Sequence, residues 1–95
     1  MDAKPEHEFD LLRSVVAILR SPGGCPWDRE QTLPDVSRYL QEESAEVADA
    51  ISSSGGTADE EVCDELGDVL LNVLLAARIA EEAGRFSIDD VARKN

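Results

Sequence analysis

Apolar positions recur at helical spacing along almost the whole chain. Phe9, Leu12, Val15, Val16 and Leu19 mark a first amphipathic helix that ends near Arg20, where Ser21-Pro22-Gly23-Gly24 stops it. Val36, Leu40, Val47 and Ile51 form the apolar arc of a second helix running from about Leu33 to Ile51. Thr32 and Asp35 cap its start, Pro34 is tolerated in its first turn, and Ser52 to Gly56 end it. A capping box of Thr57 and Glu60 opens a third helix that continues to Ala83, about 39 Å at 1.5 Å per residue, with Gly84 closing it. Val62, Leu66, Val69, Val73, Ala77 and Ala80 make one stripe of this helix, while Leu70, Leu71, Leu74 and Leu75 cover much of the opposite side. It therefore needs two partners, one of them another subunit. Ser87 with Asp90 caps a short fourth helix from Ile88. Residues 1–5 read as frayed, and Cys25 to Gln31 as a partly rigid loop carrying the only tryptophan. No strand-like alternation competes with the helical period. The expected fold is all-α, a helical hairpin core assembling into a four-helix-bundle-like oligomer.

Length and charge narrow the picture. At 95 residues the chain is one small domain spanning 1–95, and 42% hydrophobic content with 4% aromatic suits a helical core of Leu, Val, Ile and Ala. A net charge of −12 repels polyphosphate backbones, so no nucleic acid polymer is expected as partner, although cation-bridged phosphates remain compatible with it. Cys25 and Cys63 lie in separate segments without CxxC spacing, indicating neither zinc nor a disulfide framework. The charged N-terminus has no apolar signal core and no apolar run reaches membrane-spanning length, so no membrane association and a cytoplasmic location are expected.

The acidic residues carry the candidate chemistry. Acidic residues usually solvate helix surfaces, as expected for Glu60, Asp64, Glu81, Glu82, Asp89 and Asp90, but Glu43 falls inside the apolar arc of the second helix, and Glu46 sits at its edge. Glu65 and Asp68 occupy a polar strip beside the apolar stripe of the third helix, with Glu61 and Asn72. Glu42 lies further round, with access to solvent or a supporting role. Unpaired carboxylates there would be penalised, and an antiparallel hairpin would bring the two groups together. A salt-bridge network is the alternative, but Arg38 and Arg78 lie a turn or more beyond the clusters and cannot neutralise them all. A hard divalent cation, magnesium first, answers the pattern better.

Four blocks then carry a resemblance: Gly23-Gly24-Cys25-Pro26-Trp27-Asp28-Arg29-Glu30-Gln31-Thr32, Tyr39-Leu40-x-Glu42-Glu43-x-x-Glu46-Val47, Asp64-Glu65-Leu66-Gly67-Asp68-Val69-Leu70-Leu71 and Glu82-x-Gly84-Arg85-Phe86. In this order they resemble the MazG family of nucleoside triphosphate pyrophosphohydrolases, over nearly all of the chain from Leu11. The resemblance implies magnesium-dependent conversion of an NTP or dNTP and water to the monophosphate and pyrophosphate, with manganese as a substitute, in the clearing of unwanted nucleotides. It matches Glu43, Glu46, Glu65 and Asp68 to metal ligands and Glu42 to a supporting position. Trp27, Arg29, Asn72 and Arg78 are candidate substrate contacts: arginines for phosphate, Asn72 for sugar or base, Trp27 for stacking on a base or for packing. Arg85 is a further phosphate candidate, or a counter-charge to the third helix's C-terminus. It also implies a homodimer or higher homo-oligomer, and a longer final helix with a basic, His-containing tail, so that a chain stopping at Asn95 reads as truncated. A noncatalytic helical nucleotide-binding or protein-interaction module is the competing reading.

Overall fold

The computed structural model describes residues 7–94, and the expectation of a frayed start at residues 1–5 lies outside them. Every regular element among the described residues is helical: α1 (Glu8–Arg20), α2 (Pro26–Glu30), α3 (Leu33–Ser53), α4 (Glu60–Glu82) and α5 (Ile88–Arg93). They fall into two compact units, one ending at Gln31 and the other beginning at Thr32.

In the first unit, α1 buries Val16 and leaves Leu11, Val15 and Ile18 exposed. The segment expected as a loop contains a five-residue helix, α2. Pro26 at its first position supplies a helical φ and has no N–H to leave unsatisfied, which explains why so short a helix starts there.

In the second unit, α3 and α4 pack as the expected hairpin, and α5 packs on α4. Thr32 and Asp35 form the reciprocal capping box, the Asp35 carboxylate accepting from the Thr32 N–H at 2.9 Å. Val36 and Ala50 are the buried residues of α3. Ile51, expected in the apolar arc, is 42% exposed, because the arc is centred on the Val36 and Ala50 side. Helix α3 ends in a Schellman arrangement: Gly56 N–H bonds Ile51 O, Gly55 N–H bonds Ser52 O, and Gly55 takes φ +70°, a conformation that a side chain would strain.

That turn moves the start of α4. The Thr57 hydroxyl is used inside it, donating to Ser54 O at 2.8 Å, so it does not form the expected box with Glu60. Asp59 is the N-cap instead, its carboxylate accepting from Val62 N–H at 3.0 Å. Helix α4 accordingly has 23 residues, about 35 Å. Its buried residues are Val62, Leu74, Leu75, Ala77 and Ala80, so the second leucine face is covered at Leu74 and Leu75, whereas Leu66, Leu70 and Leu71 stay exposed. The last cap matches expectation, Ser87 and Asp90 forming a capping box for α5.

The cap assignment yields a stability prediction. Asp59→Ala is expected to lower unfolding free energy by about 0.5–2 kcal/mol, and Thr57→Ala by less than about 0.5 kcal/mol, the usual range for a surface change. Urea midpoints of the two variants read this directly, and a larger loss at Thr57 would return the cap to that residue.

Candidate functional site

On α3, Glu43 and Glu46 are three residues apart and share a face; on α4, Glu65 looks back at them across the hairpin. One carboxylate oxygen from each of the three lies within 4.8 Å of the others. Glu43 and Glu65 are half-buried and Glu46 exposed. The Oε2 atoms of both Glu43 and Glu65 are buried without a hydrogen-bond partner.

The electrostatics follow from that crowding. Glu43 is pushed above the usual carboxylate range, first by loss of solvent and then by the charges of Glu46 and Asp68, with Glu42 adding the least. Glu65 is raised to about 7, chiefly because it shares a hydrogen bond with Glu46, then through burial and the charges of Glu46, Glu43 and Asp68. Every charge acting on these two groups is another carboxylate. Arginine goes elsewhere: Arg38 pairs with Asp35 at 2.9 Å, and Arg78 lies 3.8 Å from both Glu81 and Glu82.

Such a site fits a hard divalent cation on its own chemistry. The donors are all oxygen, they converge from two helices, and two of them are buried atoms with unused lone pairs. A cation between them would satisfy those atoms and cancel the repulsion that now holds protons on the site.

The remaining expected residues are placed less uniformly. Asp68, three residues beyond Glu65, acts on the cluster through its charge but lies outside the group of three converging oxygens. Glu42 is exposed on the flank. The Asn72 amide donates to Asp68 O at 3.0 Å, turned along its own helix. Arg78 is 13 residues from Glu65 on α4, about 20 Å along the axis, so within one chain it does not join the carboxylates. Trp27 and Arg29 belong to α2 in the first unit; Trp27 is 58% exposed, more than a side chain used for packing would be. One residue escaped the sequence reading. Arg20 donates to the backbone oxygens of Asp28, Arg29 and Gln31, and nothing in the spacing distinguishes it from an ordinary basic residue in the last turn of a helix.

An all-α chain whose helical hairpin gathers carboxylates on facing helices belongs to the class of helical carboxylate-site proteins. Within that class the assignment is specific: the MazG nucleotide pyrophosphohydrolase domain matches residues 31–95, and the chain belongs to the MazG family. It is 57% identical over 96 residues to the nucleoside triphosphate pyrophosphohydrolase of Mycolicibacterium smegmatis, covering 95% of this chain and 28% of that protein. To the nucleoside triphosphate pyrophosphohydrolase/pyrophosphatase MazG of Thermotoga maritima it is 47% identical over 85 residues, 90% of this chain and 32% of the relative. The Escherichia coli K12 nucleoside triphosphate pyrophosphohydrolase is 40% identical over 86 residues, again 90% and 32%. The chain thus spans about a third or less of the length of the curated relatives it matches. No helix among the described residues is long and apolar enough to cross a membrane.

The raised carboxyls set a pH dependence. Between the ordinary value of 4.5 and about 7, Glu65 keeps a proton in the folded chain that the unfolded chain has lost, and Glu43 is shifted in the same direction. Metal-free stability should therefore fall as pH rises through that window and level off above it. Urea midpoints in EDTA from pH 4.5 to 8 should show the decline, with a shallower slope in Glu65→Gln and magnesium raising the midpoint most at the alkaline end. Parallel slopes in the two proteins would show that Glu65 does not carry the effect.

Proposed function

We propose that this chain binds magnesium at Glu43, Glu46, Glu65 and Asp68 and hydrolyses nucleoside triphosphates, ribo- or deoxyribo-, to the monophosphate and pyrophosphate, in the clearing of unwanted nucleotides from the cytoplasm. The observation that carries the reading is the pair of buried, unpartnered oxygens of Glu43 and Glu65 facing each other across the hairpin of a MazG-family chain. The names of the relatives point to the same reaction, as nucleoside triphosphate pyrophosphohydrolases.

In the reaction, water attacks the α-phosphorus, the bond from that phosphorus to the α–β bridging oxygen breaks, and pyrophosphate leaves with the bridging oxygen. Magnesium, or manganese in its place, would supply charge neutralisation at the phosphates and a more acidic water. Glu43, Glu46 and Glu65 provide three anionic oxygens, and Asp68 adds a fourth carboxylate beside them. Glu65, whose proton is held to about pH 7, would hold the cation in its deprotonated form. Glu42 on the exposed flank orients water and ligands from outside the cluster. Trp27 and Arg29 serve as base and phosphate contacts presented by α2, and Asn72 serves the sugar or base once its amide leaves Asp68 O. Arg78, some way along α4, would serve phosphate only at the site of a second copy.

A homodimer, or a higher homo-oligomer, is part of the same proposal, supported by Leu66, Leu70 and Leu71 at 51, 37 and 38% exposure on α4. Leu70→Glu should shift the sedimentation of the chain to that of a monomer while its helical circular dichroism remains. An oligomer that persists in Leu70→Glu would place the interface elsewhere.

Turnover tests the chemistry. With magnesium and a panel of NTPs and dNTPs, pyrophosphate and monophosphate should appear in equal amounts, and EDTA should silence the reaction. Glu43→Gln and Asp68→Asn should each cost at least about 100-fold in kcat with the helical fold intact. Release of orthophosphate, or turnover indifferent to EDTA, would refute the assignment.

A further inference from the structure

Helix α2 is too short to hold itself: five residues close hardly more than one turn, and isolated helices of that length do not persist in water. Its end is held by a side chain from α1. The Arg20 Nη1 donates to the backbone oxygens of Asp28 at 2.7 Å, Arg29 at 3.1 Å and Gln31 at 3.0 Å, carbonyls of the last turn and cap, of which Asp28 O also accepts from the Gln31 N–H at 3.3 Å. Gln31, 8% exposed, ties the same segment from its other side, its Nε2 donating to Trp27 O at 3.0 Å. The turn that lets Arg20 reach these groups is itself tightly built. Cys25 N–H bonds Leu19 O at 3.0 Å, and a Cβ on Gly24 would stand 2.4 Å from Ile18 O, so glycine is required there.

The side chains this knot displays are Trp27, 58% exposed, and Arg29, also exposed. A large aromatic displayed on a fixed backbone has lost its backbone freedom before it meets a ligand, which favours stacking on a flat ring. We infer that Arg20 is a positioning residue: by clamping the carbonyl end of α2 it fixes Trp27 and Arg29 in the orientation that receives the nucleotide. This rests on the proposed function, in which those two residues contact the substrate. Arg20 touches neither base nor phosphate and acts only through α2. Lysine is a poorer replacement, because its ammonium is more strongly hydrated and ends a flexible stem, whereas the planar guanidinium loses less freedom when it is fixed.

Trp27 is the only tryptophan, so its fluorescence reports on α2 alone. The test combines steady-state kinetics on magnesium and ATP with Trp27 anisotropy and far-ultraviolet circular dichroism, for the unmodified chain, Arg20→Gln, Arg20→Lys and Gln31→Ala. In Arg20→Gln the anisotropy should fall and KM should rise about tenfold, with kcat within about twofold and helical content retained; Arg20→Lys should recover part of both losses. A residue needed only for folding would instead lower the active fraction, and so kcat, at constant KM. Should Arg20→Gln not fold, Gln31→Ala carries the test, with the same fall in anisotropy and rise in KM expected. An unchanged KM in a folded variant overturns the inference, whether or not the anisotropy moves. Absence of turnover in the unmodified chain overturns the proposed function and this inference together, and is told apart because that chain is itself silent.

Discussion

The mutual repulsion of Glu43, Glu46, Glu65 and Asp68 is the constraint around which the second unit is built. Two helices that buried only Val, Leu and Ala against each other would be more stable without acids between them, since an unpaired carboxylate loses solvation and gains no partner. Here the cost is accepted at the middle of the hairpin, and the rest of the unit is locally consistent: capping boxes start α3 and α5, an aspartate caps α4, and Schellman turns close α3 and α4. Local order of that kind lets the hairpin tolerate a cluster that by itself would push the helices apart.

The same cluster reconciles the composition with the chemistry. A chain of charge −12 has no electrostatic reason to approach a triphosphate, and the arginines of the two hairpin helices, Arg38 and Arg78, lie against Asp35, Glu81 and Glu82. A divalent cation there would offset two of the cluster's negative charges, and the acidic face would become a means of holding that cation. The proton that Glu65 keeps up to about pH 7 in the metal-free chain is a weaker form of that neutralisation, and Glu43 is shifted in the same direction.

What the sequence revealed follows from the range of the interactions involved. Helical periods, the Thr32 and Ser87 caps and the convergence of Glu43 with Glu65 are set by neighbours within a turn or by the face on which a residue lies, so they could be read from spacing. The start of α4 could not, because Thr57 is recruited by Ser54 across a glycine turn, and two candidate caps two residues apart are indistinguishable until the turn is built. Helix α2 was hidden for a related reason: five residues carry no period, and its stability comes from Arg20 in a different helix. The MazG assignment rested on blocks of identity rather than on physics, and the match over residues 31–95 bears it out.

Arg20 and the carboxylate cluster are opposite solutions to one problem, how to hold polar groups where water does not fully serve them. At the end of α2 the protein supplies the counterpart itself, so three carbonyls share one guanidinium nitrogen and the segment is fixed. At the hairpin it withholds the counterpart, leaving Oε2 of Glu43 and of Glu65 without partners although arginines occur on both helices. A satisfied cluster has little left with which to bind, whereas an unsatisfied one gains when a ligand arrives and can exchange that ligand when it leaves. The difference in satisfaction separates a segment whose carbonyls the chain itself engages from a cluster whose buried oxygens keep unused lone pairs.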